Sequence, residues 1–143
     1  MDCICMSSAE LRLDVKSLEK VLNATVMKLD PVSKKATEEL CKAIYEESLR
    51  LVPKDTGTLA SSAYYTVLGN FKTGFVGYIG YGGNGNRFNP KSRRRASEYM
   101  IVVHEDLSAQ HKNGQAKFLE IPVRRFQGKA AEEIAKIIGG ELN

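Results

Sequence analysis

The sequence predicts an α+β fold, in which helices and strands occupy separate stretches of one chain. Apolar residues recur at spacings of three and four before residue 51 and after residue 117, a pattern typical of amphipathic helices. The stretch between them is rich in glycine and aromatic residues, which favours strands and tight turns. Because helices with one apolar face need a surface to cover, we expect N-terminal helices and a C-terminal helix packed on a small antiparallel sheet.

Length and composition are those of a single domain spanning residues 1–143. A chain of 143 residues with 43% hydrophobic and 27% charged residues can bury one core, and it is neither disordered nor membranous by composition. No apolar run approaches the roughly 20 residues of a membrane-spanning helix. Residues 1–8 are expected to form a loose N-terminus without the pattern of a secretory signal. The odd set of Cys3, Cys5 and Cys41 predicts no disulfide framework and favours a reducing compartment.

Two helices are predicted before residue 52. The first carries an apolar stripe from Val15 to Leu29. Asp30 and Pro31 then favour a new helix start, because Asp caps helices and Pro loses nothing at the first helical position. The second helix is expected from Pro31 to Leu51, with one buried stripe formed by Val32, Ala36, Leu40, Ala43, Ile44 and Leu51.

The chain is expected to change its secondary-structure type immediately after Leu51. Pro53 cannot continue a helix, because its ring removes a backbone donor and clashes with the preceding turn. Asp55 is expected to hydrogen-bond the backbone two residues further on, and Gly57 supplies a positive φ if the turn requires one. Thr58 and Leu59 then open the first strand in this prediction.

Three strands follow in the prediction. Residues 59–68 and 73–81 are expected to pair as an antiparallel hairpin, and residues 99–104 to form a central strand because they are apolar without alternation. Glycine is unusually dense in the second strand, at Gly74, Gly77 and Gly80, which favours a bulge or the close approach of another backbone.

The last predicted element is a helix from about Lys117 to Ile138. Pro122 is compatible only with its first turn. Gly139 and Gly140 are expected to end it. Its apolar stripe consists of Leu119, Val123, Phe126, Ala130, Ile134 and Ile137.

Positive charge is concentrated in one stretch of an otherwise unremarkable chain. The net charge is +4, yet residues 56–97 contain six basic and no acidic residues, so the remainder is net negative. Five of these cations lie in a predicted long loop at residues 81–97: Arg87, Lys91, Arg93, Arg94 and Arg95. Such a run can be a solvated loop, a contact for DNA phosphates or a contact for the acidic face of a partner protein. We treat these five residues as candidate partner or DNA contacts.

No pattern in the sequence indicates catalysis or a cofactor. His104, Glu105, Asp106 and His111 are the only cluster of metal-ligand types, but their spacing matches no established metal motif. The hydroxyls near residue 60 lack a nucleophile elbow, and the glycine-rich stretch at 80–85 lacks the Lys and Ser/Thr that grip phosphates. We therefore expect no enzyme activity, no metal and no cofactor.

Three segments together resemble a family of tailed-bacteriophage proteins. A Pro-x-Asp-Thr-Gly-x-Leu-x-x-Ser junction is formed by Pro53, Asp55, Thr56, Gly57, Leu59 and Ser62. A Lys-Phe-Leu signature follows at residues 116–120, and residues 99–105 stand where the family has a Tyr-Ala-x-x-Val-Glu strand, with Met100 replacing the small residue. In order and spacing, these segments resemble the minor capsid or tail-completion proteins of the phage neck, and the resemblance extends from Leu11 to Ile138.

This resemblance implies a structural virion protein. It implies a homo-oligomeric ring, expected to be a hexamer, that takes part in head–tail joining during viral tail assembly. The implied partners are the head–tail connector or adaptor and the tail terminator or tail tube, without a membrane and with possible non-specific DNA contact. The implied location is the virion neck, and the host cytoplasm during assembly. The alternative interpretation is a nucleic-acid-binding module whose basic loop grips phosphates.

Overall fold

The computed structural model describes residues 15–83 and 88–142. The predicted α+β class is confirmed: helices dominate, and the described strands form one two-stranded antiparallel sheet. In chain order the elements are α1 (Val15–Leu51), α2 (Thr58–Ser61), β1 (Tyr64–Asn70), β2 (Gly74–Gly80), α3 (Ala96–Glu105), α4 (Glu120–Gln127) and α5 (Ala130–Leu142). The predicted loose N-terminus, Cys3, Cys5 and the candidate contact Arg87 lie outside the described residues.

A single helix of 37 residues, α1, is the spine of the fold. The predicted restart at Asp30 is wrong, because Pro31 lies inside this continuous helix. An interior proline costs about 3 kcal/mol, and packing of α1 against β1, β2, α4 and α5 offsets that local cost. Asp30 has another role, since its Oδ1 accepts a hydrogen bond from the Phe71 backbone N–H at 2.6 Å.

The β1–β2 hairpin runs along α1 with one face turned towards it. Its seven residue pairs are consecutive, from Tyr64–Gly80 to Asn70–Gly74, so the bulge allowed by the sequence is absent from this ladder. Val67 is buried on the inner face, and the rings of Tyr65 and Tyr45 lie 5.2 Å apart. The close neighbour of Gly77 is the side chain of Cys41 on α1 rather than another backbone.

Two predicted strand segments are helical in the structure. Leu59 lies in the single turn α2, so the first strand begins only at Tyr64. The predicted third strand, residues 99–104, lies in α3, whose first turn is stabilised when Glu98 Oε2 accepts a hydrogen bond from the Arg95 N–H at 3.2 Å. Tyr99, Met100 and Val103 pack on the core while Ile101 and Val102 are exposed, which is helical rather than strand periodicity.

The predicted C-terminal helix is divided in two. Pro122 is buried in the first turn of α4, as expected from its missing N–H. Gly128 caps α4, and α5 then continues through Gly139 and Gly140, so the prediction that these glycines end the helix is wrong. Both helices pack on α1, and ion pairs join Arg125 to Glu47 and Lys35 to Glu141.

The main core lies at the C-terminal end of α1. It consists of Val52, Leu59, Tyr81, Ala96 and Phe118, which come from five separate segments of the chain. The rings of Tyr81 and Phe118 meet edge to face at 4.9 Å. A buried hydrogen bond of 2.6 Å joins the Tyr81 hydroxyl to Ser48 Oγ.

Candidate partner-contact site

The junction after α1 is a tight turn fixed by a left-handed glycine. Val52 N–H still donates to the Ser48 carbonyl at 2.9 Å, and the buried Pro53 then ends the helical pattern. Gly57 has a φ of 76°, so the turn uses the positive φ that glycine permits at this position. Ser61 N–H donates to the Gly57 carbonyl at 2.9 Å, so this glycine starts α2.

Ser62 connects the junction to the far end of the hairpin. Its side chain is fully buried, and its Oγ donates to the Leu59 carbonyl at 2.7 Å. The Gly82 N–H donates to the same Oγ at 3.0 Å and to the Ser62 carbonyl at 3.1 Å. The buried hydroxyl of this serine thus has hydrogen-bond partners in the backbone before β1 and in the backbone after β2, as a buried polar group requires.

Asp55 brings the junction into contact with the basic loop. Its Oδ1 accepts a hydrogen bond from Lys91 Nζ at 2.6 Å, although the two residues are 36 positions apart. Asp55 was expected to bond the backbone of its own turn, and its hydrogen bond in the structure is to Lys91 instead. Both side chains are 68% exposed, so this ion pair orients the loop more than it stabilises the fold.

The described part of the basic loop is a compact turn. Asn89 Oδ1 accepts hydrogen bonds from the N–H groups of Lys91 and Ser92, a side-chain turn that asparagine favours. Phe88 and Arg95 form an isolated bridge, and the Arg95 guanidinium lies 5.3 Å from the centre of the Phe88 ring. Within residues 15–83 and 88–142, the exposed guanidinium groups of Arg93 and Arg94 have no acidic partner.

A groove separates this loop from the junction and α3. Its volume is about 360 Å³. Its apolar wall consists of Pro53, Leu59, Tyr99 and Val103, and its polar lining comes from Asp55, Thr56, Asn89, Ser92, Arg94 and His111. The junction motif and the basic loop, predicted as two separate features, are therefore opposite walls of one depression.

The histidine and acidic residues near residue 105 form an ion-pair network. His104 Nδ1 lies 2.8 Å from Glu105 Oε1, and Lys117 Nζ pairs with both Glu105 and Glu120. The hydrogen bonds from Lys117 and then from His104 lower the pKa of Glu105, while those to Glu105 and then Glu120 raise the pKa of Lys117. This network ties the end of α3 to the start of α4.

Asp106 and Cys41, two further candidates for chemistry, have structural roles. Asp106 Oδ1 accepts hydrogen bonds from the N–H and Oγ of Ser108, and these lower the pKa of Asp106. In the part of the chain that the structure describes, no group of three or more metal-ligand residues converges. Cys41 is buried beneath β2, and burial raises the pKa of its thiol.

Two features of the structure have only weak sequence signals. Ser48 interrupts the apolar stripe of α1, but its pairing with Tyr81 across 33 residues depends on the tertiary fold. The outer face of the hairpin is apolar and exposed, with Tyr64, Leu68, Val76 and Tyr78 between 42% and 59% accessible. Their alternation along each strand was the available signal, since period-two residues share one face.

The described helices include none that is long and apolar enough to cross a membrane. Comparisons of the chain with protein-family models, with curated proteins and with solved structures find no match.

Proposed function

We propose that this chain is a non-enzymatic structural protein of a tailed-phage virion. It acts as a tail-completion or neck component, forms a ring of its own copies, and joins the tail to the head. The motif resemblance described above suggests this assignment, and the outer hairpin face is the structural observation that supports self-assembly.

The hairpin supports assembly because it is incompletely covered. One face packs on α1, while the other exposes Tyr64, Leu68, Val76 and Tyr78. Among the described residues, no third strand pairs with either edge of the sheet. Exposed apolar patches and open strand edges are typical of surfaces that bind another protein. A head-to-tail contact through such a surface closes into a ring when its rotation permits.

Placing lysines on the outer face tests this proposal. We expect the wild-type chain to form a closed oligomer, with six copies the expected number, in native mass spectrometry and sedimentation. Leu68→Lys with Val76→Lys should dissociate it, because each charge would have to be buried in the interface. Circular dichroism should show unchanged secondary structure.

The matched control places the same charges elsewhere. Ile101→Lys with Val102→Lys also replaces two exposed apolar residues, at 65% and 64% accessibility, but on α3. This pair should leave the oligomer intact. A wild-type chain that is monomeric at every soluble concentration would contradict the ring, and equal effects of both pairs would remove the hairpin from the interface.

Nucleic-acid binding is the second candidate, because Arg93 and Arg94 are exposed without acidic partners in the described structure. A phosphate contact requires affinity for duplex DNA that falls steeply with salt, with a logarithmic slope of about −0.9 for each phosphate contacted. Replacement of Arg93, Arg94 and Arg95 by Ser should then reduce this slope. A salt-independent or absent interaction would exclude this second function.

A further inference from the structure

The groove between the junction and the basic loop combines an apolar wall with an arginine, Arg94, that has no acidic partner within residues 15–83 and 88–142. Leu59 and Pro53 are buried, and Tyr99 and Val103 complete the wall from α3. A volume of about 360 Å³ falls within the range of about 300–1,000 Å³ typical of ligand sites. The depression is therefore large enough to accept apolar side chains from another molecule.

Charge at the rim selects for an acidic occupant. Arg94 lines the groove, and the described structure gives its guanidinium no acidic partner. Residues 56–97 contain no Asp or Glu. Asp55 also lines the groove, but its carboxylate is already paired with Lys91. A carboxylate can bind such a guanidinium through two parallel N–H donors.

A buried polar atom at the same groove also lacks a partner. His111 contributes to the rim, and its Nε2 is buried without a hydrogen bond among the described residues. Because that nitrogen has almost no accessible surface, the apolar wall and Arg94, rather than His111, determine what the groove can bind.

We propose that this groove binds an acidic peptide segment of a partner protein, with an apolar side chain in the groove and a neighbouring Asp or Glu on Arg94. Duplex DNA fits less well, because its phosphates satisfy Arg94 but offer nothing to the apolar wall. The inference rests on the proposed function, since it gives the chemistry by which the neck component would recognise a neighbour other than its own copies.

A random dodecapeptide library in mRNA display, selected against the full chain, supplies the probe. Enriched peptides should contain Asp or Glu next to Leu, Ile, Val or Phe. Counter-selection uses Ser92→Trp, which blocks the rim at an exposed position without changing charge, and Ser92→Ala serves as its control. The proposal would be overturned if the enriched peptides still bound the Ser92→Trp variant, or if the enriched peptides were basic.

Two neighbouring arginines provide the matched comparison. Arg94→Gln and Arg93→Gln each remove one charge from the same exposed loop, but of the two only Arg94 lines the groove. In fluorescence anisotropy with the enriched peptide, Arg94→Gln should weaken binding about tenfold or more. Arg93→Gln should change it by less than about threefold, because an exposed charge outside the contact is screened.

Each result separates the groove from the other proposals. If both arginine variants weakened peptide binding equally, the peptide would be attracted by the positive charge of the loop as a whole rather than by the groove, and the inference would be wrong. Arbitrary-sequence duplex DNA that displaces the peptide and binds more tightly would overturn it in favour of nucleic acid. A chain that forms rings but enriches no peptide would contradict the peptide-binding groove alone. A monomer that binds the peptide through Arg94 would contradict only the ring.

Discussion

Ser62 and Leu59 illustrate how single residues fix the junction. Leu59 is buried in the core with Phe118, and its carbonyl accepts a hydrogen bond from the Ser62 hydroxyl. The Ser62 hydroxyl oxygen also accepts a hydrogen bond from the Gly82 N–H, so one buried hydroxyl connects the start and the end of the hairpin. The same two backbone groups are also joined by backbone hydrogen bonds, from the Gly82 N–H to the Ser62 carbonyl and from the Ser62 N–H to the Leu59 carbonyl, so the hydroxyl reinforces an existing backbone contact.

Gly57 is the residue whose backbone conformation the turn requires. Its φ is 76°, and a Cβ at this position would meet no atom within 4 Å. Strain rather than collision therefore sets the cost of a side chain. We expect Gly57→Ala to lower the free energy of unfolding by about 1–2 kcal/mol, and Gly57→Val by about 1–3 kcal/mol, in urea denaturation.

The control for this prediction is a glycine without positive φ. Gly140 lies in α5 with open space around it, and Gly140→Ala should stabilise the chain by up to about 1 kcal/mol because alanine favours helices. An unchanged unfolding midpoint for Gly57→Ala would mean that the turn does not depend on this conformation.

At the scale of elements, three side chains of α1 hold the hairpin, each by contacting a different part of it. Asp30, Cys41 and Tyr45 lie along α1, and they contact the hairpin at its turn, at mid-strand and near its start. An isolated two-stranded hairpin is marginal in water, so these contacts are what keep β1 and β2 ordered in one subunit.

The contact between Gly77 and Cys41 yields an element-scale prediction. A Cβ on Gly77 would overlap the Sγ atom of Cys41. We expect Gly77→Ala to destabilise the fold by about 1–3 kcal/mol through overpacking. Cys41→Ala removes the obstructing atom, so the double variant should be more stable than the sum of the two single effects predicts.

The measurement is a double-mutant cycle by thermal and urea unfolding. Strictly additive effects would show that Gly77 and Cys41 do not touch. Thiol labelling offers a second check, because burial raises the pKa of Cys41 and its modification should be slow until the hairpin separates from α1.

At the scale of the whole molecule, the core at the end of α1 joins α1, the junction, the end of β2, α3 and the Lys-Phe-Leu segment. Ser48 and Tyr81 form its buried polar contact. Burial raises the pKa of Tyr81 to about 12, although the hydrogen bond to Ser48 lowers it in part. The neutral phenol is therefore preferred in the folded state.

Tyr81 should consequently make stability fall at alkaline pH. The stabilisation of the folded state by the neutral Tyr81 phenol is fully present below the ordinary pKa of 10.0, and it is lost as the pH rises towards about 12. The loss should be on the order of 2 kcal/mol. Tyr81→Phe should be less stable than wild type at neutral pH by about 1–2 kcal/mol, because Ser48 loses its partner, but it should lack this alkaline loss.

Urea unfolding across this pH interval measures the difference in slope. Ser48→Ala with Tyr81→Phe removes both hydroxyls and should recover part of the neutral-pH stability while keeping the flatter profile. Parallel profiles for wild type and Tyr81→Phe would show that the phenol does not titrate differently in the two states.

The candidate site was predictable as parts but not as a whole. The positive stretch and the junction motif are both visible in the sequence, because charge runs and turn residues are local properties. The ion pair between Asp55 and Lys91, and the groove between the junction and the basic loop, both depend on contacts between distant segments. Nothing in the local spacing of residues 53–62 indicates that Arg94 lies opposite them.

The sequence by itself determined the α+β class and the position of Pro122 in a first helical turn, since these follow from apolar periodicity and backbone sterics. It also placed at position 57 the residue type that a left-handed turn requires. Only the tertiary structure decided that α1 continues through Pro31 and that residues 96–105 are helical. In both cases packing outweighed local preference. Four elements pack on α1, although Val21, Leu22 and Met27 in its first half are exposed. The helix α3 presents Tyr99, Met100 and Val103 to a core built from distant residues.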